Sequence, residues 1–159
     1  MIATPTESSV VARGVRFHLA EQGQGPLVLL LHGFPERWYS FRHQLAALGA
    51  AGYRAVAPDL RGYGESDRPP RGYDIETLAG DVPALIEALG ADRAAVVGHD
   101  WGGALTWEAA ARYPRQVARY AVLNAPHPAV FLRTLLRSPA QLRRSWYMFL
   151  FQLPLRSEE

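Results

Sequence analysis

The residue of this chain best suited to covalent chemistry is Asp100, which lies in the run GHDWGG at residues 98–103. An apolar segment, residues 94–97, precedes the run, and a helix-like segment, residues 104–112, follows it. A tight turn between a strand and a helix can expose a nucleophile at the top of a sheet, usually the serine of G-x-S-x-G. An aspartate in the serine's place indicates different chemistry, because a carboxylate can attack a saturated carbon and form an alkyl-enzyme ester.

The backbone around Asp100 has small residues on both sides. Gly98 and Gly102 allow the chain to fold sharply around the aspartate, whose own strained conformation would cost about 1–3 kcal/mol. The turn also puts the carboxylate at the start of the following helix, where the helix dipole favours an anion. The simpler interpretation is that Asp100 only caps this helix, and the motif alone leaves both interpretations open.

A second motif favours the nucleophile. The run PLVLLL at residues 26–31 is almost purely apolar, as expected of a strand that is buried on both faces. His32, Gly33, Phe34 and Pro35 follow this run at once. The motif HGFP therefore stands at the end of one predicted strand, and GHDWGG stands at the end of another.

HGFP followed by GHDWGG resembles the alpha/beta hydrolases of the epoxide hydrolase and haloalkane dehalogenase group, and epoxide hydrolases most closely. The segments VAPDLRGYGESD at residues 56–67 and NAPHP at residues 124–128 are also similar to that family. The resemblance covers nearly the whole chain, residues 10–154. It implies the α/β class, with a three-layer alpha/beta hydrolase fold and a mostly parallel sheet, truncated after the start of the helical cap.

The resemblance implies roles for the residues beside Asp100, which would be the nucleophile. The backbone N–H groups of Phe34 and Trp101 would form the oxyanion hole. The rings of the same two residues would line the substrate pocket, although ordinary packing is an alternative for the indole of Trp101. The peptide bond between Phe34 and Pro35 would be cis.

The other motif residues take structural roles in the resemblance. The family's equivalents of His32 and His99 are bonded to nearby backbone, so we assign neither histidine as a base. No histidine has the spacing of a metal ligand, and we expect neither a metal nor a cofactor. The residues with structural roles are His32, Gly33, Pro35, Gly98, His99, Gly102 and Gly103.

A tyrosine near the end of the chain could assist the opening of an epoxide. Ring opening leaves an alkoxide, and a phenol O–H that donates to this oxygen stabilises its charge and supplies a proton. The segment WYMFLFQ at residues 146–152 resembles the cap segment that carries such a tyrosine in the family, which makes Tyr147 the candidate. The alternative is a core tyrosine in an aromatic-rich helix.

Hydrophobic periodicity predicts the elements that must position these residues. Strands alternate with helices, which indicates a parallel sheet between helical layers. We predict that residues 1–128 form the N-terminal part of the hydrolase core, and that residues 129–159 begin the cap with two amphipathic helices. The remaining predictions are a hairpin over residues 10–20, strands at 26–31, 53–60, 94–97 and 117–123, and helices at 36–50, 75–89 and 104–112.

Composition limits the partners that we expect for this chain. A formal charge of +2 is too small to indicate nucleic-acid binding, and the absence of cysteine excludes disulfides and thiolate chemistry. We predict no signal peptide and no membrane span, and therefore a cytoplasmic protein. A group of arginines could form a nucleic-acid patch, but the exposed face of cap helices is the better explanation for Arg133, Arg137, Arg143 and Arg144.

The sequence ends within what resembles the cap. In the family, a histidine base with its carboxylate partner and a second cap tyrosine lie further along the chain. We therefore expect the N-terminal portion of an enzyme that converts a small hydrophobic epoxide or related electrophile to a vicinal diol. We do not expect this portion to turn over alone. The alternatives are a haloalkane or haloacid dehalogenase with the same nucleophile, and a non-catalytic remnant.

The same resemblance leads us to expect self-association. The family sheet continues beyond the strand at residues 117–123, so this strand would be an edge with unpaired backbone groups. The apolar residues of the cap segment would form a second exposed surface.

Overall fold

A computed structural model, which describes residues 4–146, has a six-stranded sheet at its centre. With its strands numbered along the chain, the sheet has the order β1-β2-β4-β3-β5-β6. The strands β3 to β6 are parallel to one another, whereas β2 pairs antiparallel with both β1 and β4. This arrangement confirms the predicted α/β class and mostly parallel sheet. The strands are β1 (Thr6–Ala12), β2 (Val15–Gln22), β3 (Leu27–Leu31), β4 (Arg54–Pro58), β5 (Ala94–His99) and β6 (Val117–Leu123).

Within residues 4–146, five α-helices connect or follow these strands. Three lie between strands, which gives the alternation that the sequence predicted, and two follow the last strand. They are α1 (Arg42–Ala50), α2 (Ile75–Ala88), α3 (Trp101–Arg112), α4 (Pro128–Arg137) and α5 (Pro139–Arg144), and a short 3-10 helix (Trp38–Phe41) precedes α1.

The strand β3 is buried along its whole length, so the sheet lies between two apolar layers. Alternate side chains of a strand point to opposite faces. Leu29 therefore packs in the cluster that contains Leu85 of α2 and Leu105 of α3. Leu30 packs in the other cluster, with Leu45 of α1. The result is the three-layer arrangement of helices, sheet and helices.

Several helix boundaries differ from those predicted by periodicity. The predicted helix over residues 36–50 begins instead as the 3-10 helix at Trp38. The backbone N–H of Trp38 donates to the carboxylate of Asp59 at 2.8 Å. Pro83 lies inside α2 without ending it, and Asp74 caps that helix by accepting from the N–H of Thr77 at 2.8 Å. The predicted helix over residues 104–112 begins three residues earlier, at Trp101.

The chain divides into two compact units, Met1–Ala125 and Pro126–Glu159. The first contains the whole sheet with α1 to α3. In the second, the described residues form α4 and α5, where the sequence predicted two helices. Within residues 4–146, no helix is long and apolar enough to cross a bilayer.

Candidate active site

The two sequence motifs lie side by side at one end of the sheet. The strands β3 and β5 are parallel neighbours, with Leu31 paired to Gly98, so HGFP and GHDWGG both leave the carboxyl ends of their strands. From β3 the chain continues to β4 on one side, whereas from β5 it continues to β6 on the other. The loops therefore diverge between β3 and β5, and such a switch point is where open α/β sheets bind ligands.

Asp100 stands between β5 and α3 with a strained backbone. Its φ of 51° and ψ of −115° lie in a region that residues with a side chain rarely adopt. Main-chain hydrogen bonds hold it there, because the Asp100 N–H donates to Leu123 O at 3.0 Å and the Ala104 N–H donates to Asp100 O at 3.1 Å. The carboxylate makes no capping bond to α3. Helix capping alone therefore does not explain an aspartate at this position.

The carboxylate of Asp100 is bound by the loop after β3. The backbone N–H of Phe34 donates to its Oδ1 at 3.0 Å. The Phe34–Pro35 peptide bond is cis, as the resemblance implied. Phe34 is 48% exposed, and the role of its ring as a pocket wall stays a prediction.

Trp101 is the first residue of α3, where backbone N–H groups have no partner within the helix. Its side chain is partly buried and packs against the cluster that contains Leu29. The packing role of the indole is thus observed, while its roles in the pocket and, through the N–H, in the oxyanion hole remain predictions.

The motif glycines occupy places that have no room for a side chain. A Cβ on Gly33 would lie 2.6 Å from the Cβ of Asp100. A Cβ on Gly98 would overlap the carbonyl of Gly102. Gly102 and Gly103 are similarly confined, by the carbonyl of Leu31 and by the Cβ of Ala125. Close approach of the two loops accounts for Gly33 and Gly102, whereas the turn itself confines Gly98 and the end of β6 confines Gly103.

His32 is fully buried, and both of its ring nitrogens and its carbonyl bind backbone groups. Its Nδ1 lies 2.8 Å from Gly33 O, its Nε2 accepts from the Leu60 N–H at 2.9 Å, and its carbonyl accepts from the Gly102 N–H at 3.0 Å. Burial lowers the pKa of the imidazole, against smaller effects of the Gly33 carbonyl, Asp59 and Glu36. The predicted backbone bonding of His32 is therefore observed.

His99 does not show the backbone bonding that the resemblance implied, because its ring binds side chains instead. Its Nδ1 lies 3.3 Å from Oε2 of Glu36, and its Nε2 lies 3.2 Å from Nδ2 of Asn124. The same Glu36 oxygen accepts from the Gly33 N–H at 3.1 Å. Three strand ends are thus linked by one chain of hydrogen bonds, since Glu36 follows β3, His99 ends β5 and Asn124 follows β6.

Sequence reasoning missed Glu36, Asn124 and Tyr63 as neighbours of the site. The ring of Tyr63 contacts that of His32 edge to face, with centroids 5.1 Å apart. Burial and the charge of Asp100 raise the pKa of the Tyr63 phenol. Glu36 directly follows HGFP and Asn124 begins NAPHP, which were usable signals, but only the fold brings Tyr63, in the loop after β4, to His32.

Tyr147 lies outside the described residues, so its predicted role is neither supported nor opposed by the structure. Within residues 4–146, no group of histidine, aspartate and glutamate side chains could hold a metal ion.

The fold and the two loops define the class of this protein. The sequence pattern of the alpha/beta hydrolase fold family matches residues 26–155, and the chain belongs to that family. Its relatives narrow the class further, because many of them are epoxide hydrolases, which confirms the resemblance that the motifs indicated.

The chain is 52% identical over 146 residues to epoxide hydrolase 3 of Xenopus tropicalis. It is 48% identical over 145 residues to epoxide hydrolase 4 of Mus musculus. Each alignment covers 89% of this chain and 40% of the relative. The crystal structure of a Bacillus megaterium epoxide hydrolase in complex with an inhibitor matches with a TM-score of 0.88 at 38% identity, over 92% of this chain and 52% of that one. The chain thus spans about half the length of these relatives or less.

Proposed function

We propose that this chain carries the nucleophile of an epoxide hydrolase-type active site. In the first step, Oδ2 of Asp100 attacks an epoxide carbon. A carbon–oxygen ester bond forms, the epoxide carbon–oxygen bond breaks, and the epoxide oxygen takes a proton to become a hydroxyl group. In the second step, a general base takes a proton from water, the oxygen adds to the ester carbonyl and the ester bond breaks; the products are a vicinal diol and the regenerated carboxylate, and the one remaining proton restores the donor of the first step.

The observation that carries this proposal is the hydrogen bond from the Phe34 N–H to Oδ1 of Asp100 at 3.0 Å. The bond orients the carboxylate and leaves its second oxygen to attack. After ester formation, Oδ1 is the carbonyl oxygen that becomes negative when water adds. The same amide, with that of Trp101, would then stabilise the oxyanion, and one such donor is typically worth about 10²–10³ in rate.

The epoxide oxygen needs a proton donor, and we assign that role to Tyr147. A phenol O–H that is directed at the opening ring stabilises the alkoxide as it forms. The rings of Phe34 and Trp101 would hold a small hydrophobic epoxide beside Asp100. Residues 129–159 would begin the cap, and residues 1–128 would form the N-terminal part of the core.

Ester hydrolysis requires a general base, for which the described residues offer no candidate at Asp100. His32 and His99 are both near the site, but the ring nitrogens of each are engaged with other groups. We therefore expect the 159-residue chain to form the ester and to keep it, rather than to turn over.

A dehalogenase would use the same nucleophile, and covalent labelling separates the two reactions. The purified chain is incubated with styrene oxide, with 1-chlorohexane, or with a serine-directed fluorophosphonate, and intact mass is measured. An epoxide adds its whole mass, whereas a halide adds its alkyl group and loses chloride. We expect one styrene oxide adduct and none with the other reagents. Labelling by the chloride alone would support a dehalogenase, and no labelling of the folded chain would support a non-catalytic remnant.

A further inference from the structure

The hydrogen bonds of His32 determine the protonation state of its ring. The Gly33 carbonyl can only accept, so the Nδ1 that faces it at 2.8 Å carries a proton. The Leu60 N–H can only donate, so the Nε2 that receives it at 2.9 Å carries none. His32 is therefore neutral, with its single ring proton on Nδ1.

This neutral ring joins the segment after β4 to the loop that holds the candidate nucleophile. Leu60 belongs to the segment after β4, whereas Gly33 immediately precedes Phe34, whose N–H binds Asp100 at 3.0 Å. The carbonyl of His32 also accepts from Gly102 in the first turn of α3. A second proton, on Nε2, would face the donor of Leu60 and break this connection.

Tyr63 lies where it can keep that second proton away. Its ring lies edge to face with the imidazole, at an interplanar angle of 75°, and packs against the cluster that contains Leu29. A turn fixes its backbone, since the Tyr63 N–H donates to Leu60 O at 2.9 Å and the Ser66 N–H donates to Tyr63 O at 3.0 Å. The residue that covers the imidazole thus belongs to the same turn as the donor to Nε2.

We propose that Tyr63 is a positioning residue: its ring shields His32 from water, and the neutral His32 keeps the Phe34 amide directed at Asp100. The inference deepens the proposed function and rests on it for the role of that amide. The charged groups that act on the ring are Asp59, which follows β4, and Glu36, which follows β3, while Asp100 before α3 acts on the phenol of Tyr63. The fields of Asp59 and Glu36 favour a second proton, and burial opposes it more strongly.

The proposal is tested by nuclear magnetic resonance on wild-type chain and two variants, Tyr63→Ala and Tyr63→Phe. Long-range proton–nitrogen correlation spectra report the tautomer and titration midpoint of His32, and the Phe34 amide proton reports its bond to Asp100. The wild type and Tyr63→Phe should show the Nδ1–H tautomer, with a midpoint below about 6.5, the value of an unperturbed histidine. In Tyr63→Ala the midpoint should rise by about one pH unit, because water reaches the ring.

The decisive readout is whether the Phe34 amide follows His32. In Tyr63→Ala its resonance should move at the His32 midpoint, which general destabilisation would not produce. Tyr63→Leu, which keeps apolar bulk without a ring, replaces Tyr63→Ala if that variant does not fold. The proposal is overturned if His32 carries its proton on Nε2, or if its titration midpoint is unchanged when the Tyr63 ring is removed. It is also overturned if the Phe34 amide resonance does not move at the His32 midpoint. None of these measurements needs an epoxide, so absence of labelling would refute the proposed function and leave this result standing.

Discussion

One amide and one carboxylate define the candidate site at the scale of single residues. The strained turn at Asp100 would be unfavourable in isolation, and main-chain bonds to Leu123 and Ala104 hold it in place. The loop after β3 then supplies the Phe34 N–H at hydrogen-bonding distance. The geometry therefore presents a carboxylate that is already oriented by a donor before any ligand arrives, which is the preorganisation that covalent catalysis requires.

Gly33→Ala should disrupt this arrangement with little effect elsewhere. The added Cβ would lie 2.6 Å from the Cβ of Asp100, so the loop and its Phe34 amide must move away. We expect the rate of labelling by styrene oxide to fall by about 10²-fold, because the displaced loop no longer orients the attacking carboxylate, and misplacing a reacting group by about 1 Å can have this cost. Gly49→Ala is the matched control, because its Cβ would meet only the region around Gln22. Equal labelling rates in the two variants would count against the role of the amide.

Tyr147→Phe should slow ester formation if the phenol protonates the opening epoxide. The substitution keeps the ring and removes only the O–H, so the expected loss is about 10²–10³ in rate. A second tyrosine in a complete cap could share the proton transfer and reduce this loss. Single-turnover labelling, followed by mass spectrometry, measures the step directly. A wild-type rate would show that Tyr147 is a packing residue.

A buried ion pair joins the segment after β4 to the helix α2. Arg61, in the segment after β4, donates two hydrogen bonds to Asp81 of α2, at 2.8 and 2.7 Å. Both side chains are almost fully buried, at 7% and 6% exposure, and the bonds to Asp81 raise the pKa of Arg61. The pair thereby anchors the segment that also contains Leu60 and Tyr63, two of the residues that contact His32.

Asp81→Asn should be strongly destabilising, because it leaves the Arg61 charge buried without a counter-charge. Removing one partner of a buried pair typically costs about 3–5 kcal/mol. Asp92→Asn is the matched control, since Asp92 is exposed, and its effect should stay within about 0.5 kcal/mol. Urea denaturation measures both free energies of unfolding. A loss in Asp81→Asn as small as that of the control would mean that the pair contributes little.

The sequence predicted the elements better than their ends or their mutual contacts. Periodicity located every strand and the three helices between them, because buried faces repeat at fixed intervals. It could not place the start of the helix before α1, which depends on the distant carboxylate of Asp59. For the candidate site, the motifs and the family resemblance pointed to Asp100 and Phe34, which a hydrogen bond joins in the structure. The bonds of His99 to Glu36 and Asn124 depend on which strands are neighbours, and periodicity carries no such information.

The two edge strands of the sheet differ in how well they are protected from pairing with another chain. The strand β1 forms one edge and is largely polar, with the sequence TESSVVA. In the described part of the chain, β6 forms the other edge, and its exposed residues include Tyr120 and Leu123, at 50% and 47% exposure. Polar and charged side chains protect edges from pairing with other chains, so β6 is the less protected of the two.

We expect the chain to associate through β6 at high concentration. Leu123→Lys should reduce this association, because a charge on the edge disfavours pairing. Val11→Lys, at a 65% exposed position on β1, is the matched control and should change little. Sedimentation velocity over a range of concentrations measures the effect. A wild-type chain that stays monomeric and melts in one sharp transition would show that the exposed edge at β6 does not cause association.

The central claim is that Asp100 is the residue that becomes esterified. Its most direct test is peptide mapping after incubation with styrene oxide, for the wild type, Asp100→Asn and the exposed control Asp92→Asn. We predict one adduct on the peptide that contains Asp100 in the wild type and the control, removable by hydroxylamine as an ester should be, and none in Asp100→Asn. An adduct on another residue, or one that persists unchanged in folded Asp100→Asn, would contradict the assignment.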